Sequence, residues 1–380
     1  MQEAARIDLG PEGGRRQAGG VTNLNDYLTL GRSGLRVSPA TLGTMTFGED
    51  HGWGASVEES HRMIDEYVAA GGNSIDTANI YTNGHAEAIV GDWLAAHPGR
   101  RDRLVIGTKF YANLHPGDPN GGGPGRKAVI HQLEDSLRRL RTDYVDLYWL
   151  HNFDPATPRE ETLRALDDLV SAGKVRYIGF SDTPAWATAE ASTIARFRGW
   201  APIVALQLEY SLLERTPEGE LLPMAEDLGM GALAWSPLKG GWLTGKFSSA
   251  RAQAPVDTSR GWSTPSTADY VVIDRLNEIA DGLGVSAAEV ALAWVRGRKG
   301  ITSTLLGARR LDQFAANLRS LSLVLPDEAR AALDSVSAPR LNFPAENNTH
   351  LAPSLQFAGT TVDGVAHDLL PMLTDGGTRY

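Results

Sequence analysis

An eightfold alternation of short apolar segments with amphipathic helical stretches constrains the fold of this chain more than any other feature. The apolar segments have the length and composition of buried strands, and they occupy residues 41–44, 73–78, 103–109, 144–151, 175–181, 203–207, 231–235 and 302–307. Strands that are apolar on both faces and are each followed by a helix predict an α/β fold, a closed parallel (β/α)8 TIM barrel. An open doubly wound sheet is the alternative.

Local signals mark several ends of the intervening helices. The signals are capping boxes, a proline at the first helical position and glycines after the last turn. They stand at Ser56 with Glu59, Ser286 with Glu289, Pro158 after Thr157, Gly71 and Gly173. These boundaries place helices between the strands, as a barrel requires.

The segments outside the alternation have different expected structures. Residues 26–38 form two short alternating runs around a turn, which predicts an N-terminal β-hairpin that closes the bottom of the barrel. Residues 1–22 are rich in Gly, Arg and Glu and predict a disordered extension, so the barrel domain is expected over residues 23–338. Prolines divide residues 339–380 and are expected to exclude helices there, so we expect an irregular C-terminal tail, either disordered or a lid over the barrel mouth.

Composition excludes several functional classes. The formal net charge is −10, so a nucleic acid would be repelled over most of the surface. The chain has no cysteine, which excludes disulfides, thiolate metal sites and thiol nucleophiles. No apolar run reaches the length of a membrane span, and the first residues lack the core of a secretory signal. We therefore expect a cytoplasmic protein without a membrane partner.

Four polar side chains follow successive predicted strands. Asp76 ends the second strand, Lys109 the third and His151 the fourth, and Tyr81 lies five residues after Asp76. Each alone also fits a structural role, but the carboxyl ends of barrel strands meet at one mouth, so the four are expected to converge. A phenol beside a cation that a carboxylate holds becomes a usable proton donor, and a histidine can orient a carbonyl oxygen. None of the four can deliver hydride, so the set needs a nicotinamide cofactor.

The stretch from Ser236 to Phe247 nearly matches a P-loop. Gly240, four further residues, Gly245 and Lys246 fit the pattern G-x-x-x-x-G-K, but Phe247 stands where the motif needs a hydroxyl for magnesium. Backbone N–H groups in a tight glycine-containing turn can also bind an anion without that hydroxyl. The stretch therefore indicates either a defective triphosphate site or a phosphate site of another kind.

The ordered motifs of the chain resemble those of the aldo-keto reductase family over about residues 26–325. The matching segments are SIDTANIY (74–81), TKF (108–110), SLRRLRTDYVDLYWLH (136–151), residues 154–182, QLEYSLLER (207–215), WSPLKGGWLTGKF (235–247) and LLGARRLDQFAANL (305–318). The resemblance implies the eightfold barrel and reduction of a carbonyl. It also implies that Tyr81 is the general acid, that Lys109 and Asp76 tune it, and that His151 orients the substrate carbonyl.

The same resemblance implies a cofactor site, with Trp235 stacked on the nicotinamide ring and the pyrophosphate bound without magnesium by the loop after the seventh strand. The implied cofactor residues are Gly43, Thr44, Met45, Asp76, Ser181, Asp182, Gln207, Trp235, Ser236, Pro237, Leu238, Gly240, Gly241, Lys246, Gly307, Ala308, Arg309, Gln313 and Asn317. Arg309 can pair with a 2′-phosphate, which favours NADPH over NADH. Asp182 departs from the family's commoner Asn, and a carboxylate cannot donate to the carboxamide carbonyl.

The substrate and the partners are less constrained than the cofactor. Loops at a barrel mouth vary with substrate, and the residues expected to shape the pocket are Trp53, Tyr111, Asn152 and Phe153. We expect an aldehyde, ketone or keto sugar, or the corresponding alcohol, and the oligomeric state stays open. A metal-dependent hydrolase would need His-x-His or clustered carboxylates at strand ends, which the sequence does not supply, so no metal site is predicted. A subunit that binds NADPH and docks on a partner protein is a further alternative.

Overall fold

A short hairpin precedes eight parallel strands that close into a barrel in the computed structural model, which describes residues 21–252 and 264–373. The hairpin strands are Leu28–Thr29 (β1) and Arg36–Val37 (β2), and the barrel strands are Ala40–Gly43 (β3), Ser74–Asp76 (β4), Val105–Phe110 (β5), Val145–Leu150 (β6), Val175–Ser181 (β7), Ile203–Glu209 (β8), Gly231–Trp235 (β9) and Ile301–Leu306 (β10). Consecutive strands pair in parallel, and β10 pairs with β3 to close the ring. The predicted (β/α)8 barrel is therefore confirmed, and the open sheet is excluded.

Helices cover the outside of the barrel and connect its strands. Those of the barrel domain are Val57–Ala69 (α1), His85–Ala96 (α2), Arg126–Leu140 (α3), Arg159–Ser171 (α4), Ala185–Arg198 (α5), Leu221–Leu228 (α6), Thr267–Leu283 (α7), Ala287–Arg296 (α8), Leu311–Arg319 (α9) and Asp327–Val336 (α10). No helix within the described residues has the length and hydropathy needed to cross a bilayer.

Side chains of the barrel strands alternate between two apolar cores. Successive residues of a strand point to opposite faces, so Tyr148 and Leu150 of β6 pack outward under the helices, whereas Leu147 and Trp149 point into the barrel. The inner core also contains Leu30 of the hairpin, which is fully buried. The predicted hairpin thus closes the bottom of the barrel.

Two glycines make room for Trp149 inside the barrel. Gly179 of β7 pairs with Trp149 in the sheet, and a Cβ atom there would lie 2.1 Å from the indole Cε3 atom. A Cβ atom at Gly107 of β5 would lie 2.9 Å from the indole Nε1 atom. The indole therefore fills the space that side chains on both neighbouring strands would otherwise take.

The predicted helix ends differ from the structure at two places. The reciprocal capping box predicted at Ser286 is present at α8. At α1, Ser56 accepts from the N–H of Glu59, but the Glu59 carboxylate accepts from the N–H of Leu311 at 2.5 Å instead of turning back, so half of that predicted box is wrong. Pro158 is the N-cap residue of α4 and not its first helical residue.

The C-terminal tail contains short regular elements where the sequence predicted none. Two helices, Ala345–His350 (α11) and Ala352–Phe357 (α12), are followed by a small hairpin of Thr361–Val362 (β11) and Val365–Ala366 (β12). Pro344 precedes α11 and Pro353 stands in the first turn of α12, where a missing N–H costs no helical hydrogen bond. The expectation that prolines exclude helices from this tail is therefore wrong.

Both ends of the chain lie partly outside the described residues. Residues 1–20 of the predicted N-terminal extension and residues 374–380 of the tail are among them. The prediction of disorder over residues 1–22 therefore stays a prediction.

We predict that Gly179→Ala lowers the free energy of unfolding by about 1–3 kcal/mol, because the added methyl group overlaps the indole of Trp149 and overpacks the inner core. Urea unfolding followed by tryptophan fluorescence measures this change. Gly282→Ala in α7 is the matched control, since no atom lies within 4 Å of a Cβ atom there. Alanine at that exposed helical position is expected to stabilise by about 0.5–1 kcal/mol. Equal unfolding free energies for the two variants would contradict the close packing of Trp149.

Candidate active site

A buried lysine lies at the centre of the barrel mouth. Lys109 of β5 is fully buried, and its ammonium forms a close ion pair with the carboxylate of Asp76 at the end of β4. The same ammonium donates to the Tyr81 hydroxyl and to the Thr77 carbonyl, both at 3.0 Å. The other carboxylate oxygen of Asp76 accepts from the Gln207 amide at 2.9 Å. The structure thus brings the predicted Asp, Lys and Tyr into one hydrogen-bonded chain.

Burial and neighbouring charges act in opposite directions on the pKa values of Lys109, Tyr81 and Asp76. Burial acts to lower the pKa of Lys109, but Asp76 and Tyr81 outweigh it, so the pKa is raised and the ammonium stays charged. Burial raises the pKa of Tyr81, although Lys109 partly offsets it. Burial likewise raises the pKa of Asp76 against the attraction of Lys109. The result is a protonated phenol beside an ammonium ion, which can stabilise the tyrosinate when the proton leaves.

A strained turn fixes the position of Tyr81. Thr82 and Asn83, which follow it directly, have left-handed φ angles of 45° and 55°, and such a conformation costs a residue with a side chain about 1 kcal/mol or more. The Thr82 hydroxyl donates to the Phe47 carbonyl and accepts from the Ala86 N–H, each at 3.0 Å. These bonds hold the turn between the first loop and α2. The backbone therefore sets the place of the phenol before any ligand binds.

The fourth predicted residue, His151, faces Tyr81 across the mouth. It follows β6, and its ring lies edge to face with the phenol ring at 6.1 Å between centroids. Burial and the nearby ammonium of Lys109 lower the pKa of His151 to about 3, so the imidazole is neutral at pH 7. A neutral N–H donor beside the phenol can orient a carbonyl oxygen.

Two buried amides that the sequence analysis missed organise the loop beside the site, residues 111–125. The Gln132 side-chain oxygen accepts from the Tyr111 N–H at 2.9 Å and from the Asn79 amide at 3.0 Å. The Gln132 amide also donates to the Gly123 carbonyl at 3.2 Å. The available signal was the position of Gln132 among the apolar residues Val129, Leu133 and Leu137 of α3, where a polar side chain needs partners.

The residues predicted to shape the substrate pocket lie on three loops. Tyr111 has a φ angle of 135°, and its hydroxyl donates to the Phe153 carbonyl at 3.3 Å, which joins the loops after β5 and β6. Phe153 in turn packs edge to face on Trp186 at 5.6 Å. Asn152 is exposed, and Trp53 is half-buried in the loop after β3.

The residues predicted to bind the cofactor lie mostly at the ends of six of the eight barrel strands, around the mouth. They are Gly43, Thr44 and Met45 at the end of β3, Asp76 at β4, Ser181 and Asp182 at β7, Gln207 on β8, Trp235, Ser236, Pro237, Leu238, Gly240 and Gly241 at β9, and Gly307, Ala308, Arg309, Gln313 and Asn317 after β10. Strands β7 to β10, β3 and β4 are consecutive neighbours in the barrel, so these strand ends form a continuous border. Lys246 lies beyond this border in sequence and is exposed.

The loop after β9 is a tight turn, and it has few donors left for an anion. Ser236 and Lys239 have φ angles of 51° and 45°, and the N–H groups of Lys239, Gly240 and Gly241 all bond within the turn. The Leu238 N–H has no acceptor among the described residues, and the Ser236 hydroxyl keeps a proton to donate. In this turn the Leu238 N–H and the Ser236 hydroxyl are therefore the donors left for an anion, and the predicted phosphate contacts stay a prediction.

The aromatic residue at the end of β9 is held by a carboxylate. The Trp235 indole N–H donates to Asp182 at 3.0 Å. Desolvation by surrounding protein atoms raises the pKa of Asp182 to about 6, although the residue remains exposed at the mouth. Trp235 and Asp182 are therefore joined at the mouth by this hydrogen bond.

The two adjacent arginines after β10 differ in their partners. Arg310 forms a double hydrogen bond with Asp312, at 2.9 and 3.1 Å. Arg309 is half-buried and makes no ion pair with any described residue. The preceding residue is fixed, because the Thr46 hydroxyl donates to the Ala308 carbonyl at 2.6 Å. The Arg309 guanidinium is therefore the one of the pair that is open to an anionic ligand.

Comparison with known proteins agrees with this geometry. A sequence model of the Aldo/keto reductase family matches residues 40–338. An uncharacterised oxidoreductase of Bacillus subtilis is 37% identical, over 82% of this chain and 95% of that protein. Versiconal hemiacetal acetate reductase of Aspergillus parasiticus is 34% identical, over 84% and 99%, and norsolorinic acid reductase of Emericella nidulans is 34% identical, over 82% and 81%. Since the match spans the barrel from β3 to α10, the chain belongs to the aldo/keto reductase family of oxidoreductases.

Proposed function

We propose that this chain is an NADPH-dependent reductase of an aldehyde, a ketone or a keto sugar, with Tyr81 as the proton donor. The observation that carries the proposal is the buried ammonium of Lys109, which bridges the Tyr81 hydroxyl and the Asp76 carboxylate. Membership in the family and the names of two similar fungal reductases support carbonyl reduction as the class of reaction.

Groups at the mouth are suited to bind nicotinamide adenine dinucleotide phosphate. Trp235 offers a flat ring for the nicotinamide, the Ser236 hydroxyl and Leu238 N–H offer donors for the pyrophosphate, and Arg309 offers a guanidinium for the 2′-phosphate. When bound, the cofactor supplies the hydride that no side chain of the protein can provide.

The protein's own residues move and stabilise the proton. Tyr81 donates its proton to the carbonyl oxygen as negative charge develops there, and Lys109, 3.0 Å from the phenol oxygen, stabilises the tyrosinate that remains. The neutral imidazole of His151 donates to the same carbonyl oxygen and directs it toward Tyr81. Asp76 keeps the ammonium in place, and Gln207 orients Asp76.

We predict that Tyr81→Phe abolishes carbonyl reduction and leaves NADPH affinity nearly unchanged, because the hydroxyl acts on the substrate and not on the cofactor. NADPH oxidation with a panel of aromatic aldehydes, diketones and keto sugars measures the first effect, and fluorescence titration of NADPH measures the second. If the wild-type protein binds NADPH but oxidises it with no member of the panel, the result would favour the alternative function, a subunit that binds NADPH and docks on a partner protein. Retained turnover with lost NADPH binding would overturn the role of Tyr81.

We predict that Lys109→Met lowers the rate of carbonyl reduction about as severely as Tyr81→Phe does, and that it shifts the pH dependence of the residual reaction. The ammonium lowers the pKa of Tyr81, so its removal raises that pKa. Oxidation of the corresponding alcohol needs tyrosinate as the base, and its rise in kcat/KM with pH is therefore expected to shift to higher pH. An unchanged profile would argue against the Tyr–Lys pair.

The Lys109→Met variant needs a control for folding. Removal of one partner leaves Asp76 buried without its counter-charge, which costs about 3–5 kcal/mol of stability. The double variant Asp76→Asn, Lys109→Met removes both charges and is expected to recover part of this loss. Comparison of unfolding free energies for the two proteins separates the structural effect from the shift in pH dependence.

We predict that Arg309→Ala weakens NADPH binding by about 1.5–3 kcal/mol and hardly changes NADH binding, since a hydrogen bond to a charged group contributes that much and NADH lacks the 2′-phosphate. Arg310→Ala is the matched control, because Asp312 already holds that guanidinium. Titration of both cofactors at fixed ionic strength gives the affinities. Equal losses for NADPH and NADH in Arg309→Ala, or a larger loss in Arg310→Ala, would contradict the assignment.

A further inference from the structure

Two imidazole rings and a carboxylate converge on the outer side of α3, away from the catalytic mouth. His131 and Asp135 lie one turn apart on the helix, and His115 reaches them from the loop 111–125. One potential ligand atom of each residue lies within 4.8 Å of those of the other two. His115 Nε2 is 3.7 Å from Oδ2 of Asp135, and His131 Nδ1 is 3.5 Å from Oδ1 of the same carboxylate.

These three groups approach one another without forming hydrogen bonds. The separations of 3.5 and 3.7 Å exceed ordinary hydrogen-bond lengths, and neither ring bonds to any other part of the described chain. The two rings stack at 5.4 Å with 30° between their planes. Three potential ligand groups therefore lie within 4.8 Å of one another with no hydrogen bond between them.

The backbone that carries His115 is organised in advance. The Asn113 side-chain oxygen accepts from the His115 N–H at 2.8 Å, and the Asn113 amide donates to the Asp118 carbonyl at 2.7 Å. The carboxylate is also held, since Asp135 pairs with Arg138 and only 13% of its side chain is exposed. The flexible parts of the cluster are the two exposed imidazoles.

We propose that His115, His131 and Asp135 bind a divalent transition metal of the zinc type, with water completing the coordination. Ligand distances of about 2.0–2.2 Å place the donors of a tetrahedral zinc ion about 3.3 Å apart. The Asp–His separations are already close to that value, so the main adjustment is an approach of the two imidazoles. Two imidazoles with one carboxylate suit zinc, whereas magnesium and calcium prefer oxygen ligands.

Arg138 is compatible with this site. It bonds to the Oδ1 atom of Asp135, which leaves Oδ2, the oxygen nearer His115, for the metal; His131, now beside Oδ1, must turn toward Oδ2 when the ion binds. Hydrogen bonds of this kind orient carboxylate ligands in metal sites. The arginine therefore serves as the outer partner of the carboxylate.

The metal would clamp the loop 111–125 onto α3. This loop begins at Tyr111, which bonds to Phe153 and Gln132 beside the catalytic mouth. A bound ion would thus fix one wall of the candidate substrate pocket from outside. The site stands independently of the proposed reaction, because none of its ligands belongs to the catalytic cluster.

Calorimetric titration of chelator-treated protein with Zn²⁺ tests the site. The expected result is one ion per chain, with binding weaker by about tenfold to a hundredfold or more in His115→Gln and in His131→Gln, since loss of an outer partner alone costs that much. His350→Gln, which removes an exposed histidine of α11, is the matched control and should bind as the wild type does. Co²⁺ gives a second readout, because tetrahedral cobalt absorbs strongly in the visible range.

Hydrogen exchange of residues 112–123 separates a specific site from surface binding. Zn²⁺ is expected to slow exchange there in the wild type and in His350→Gln, but not in His131→Gln. Circular dichroism shows whether each variant is folded. Equal Zn²⁺ affinity in all four proteins, or unchanged exchange in the wild type, would mean an adventitious ion only and would overturn the proposal.

Discussion

The buried ion pair between Lys109 and Asp76 is the interaction on which the site depends. Removal of two charges from water costs several kcal/mol for each ion, and attraction alone offsets that cost only with good geometry and further hydrogen bonds. Gln207, Thr77 and Tyr81 supply those bonds. The bonds join strands on opposite sides of the barrel. Asp76 of β4 pairs with Gly107 in the sheet, which places the lysine of β5 beside it, and Gln207 reaches Asp76 from β8 across the barrel. The closed barrel is therefore what brings Asp76, Lys109 and Gln207 together.

The sequence predicted the strand–helix order well because each buried strand is an apolar run between clear helix signals. It failed where partners come from distant parts of the chain. The Glu59 carboxylate caps α9 through Leu311 instead of its own helix, and no local pattern could reveal that contact. The tail was misjudged for a different reason: Pro344 and Pro353 were read as helix breakers, although each stands at a helix start, where proline is tolerated.

The catalytic cluster was predictable because strand ends of a parallel barrel share one mouth. The contacts that hold the cluster in place were not predictable, because they depend on backbone and side-chain geometry. The left-handed φ angle at Thr82 occurs at a residue type that rarely adopts it, although the Asn83–Gly84 pair beside it is typical of a turn. The hydrogen bond from Trp235 to Asp182 likewise joins side chains of two different strand ends, which the sequence alone did not reveal. The convergence of His115 and His131 combines a loop and a helix, so their spacing in sequence matches no metal motif.

The indole of Trp149 has a consequence beyond packing. It pairs with Lys109 across β5 and β6, and its indole nitrogen lies against Gly107, two residues before Lys109 on the same face of β5, so the ring occupies the layer below the lysine. Water that entered a gap at this level would solvate the ammonium and weaken its field at the phenol oxygen, because electrostatic interactions fall as the local dielectric rises. For the role proposed for Tyr81, exclusion of water from the barrel interior is therefore part of its reactivity. A substitution in the inner core that leaves the protein folded can still alter proton transfer by hydrating the space below it.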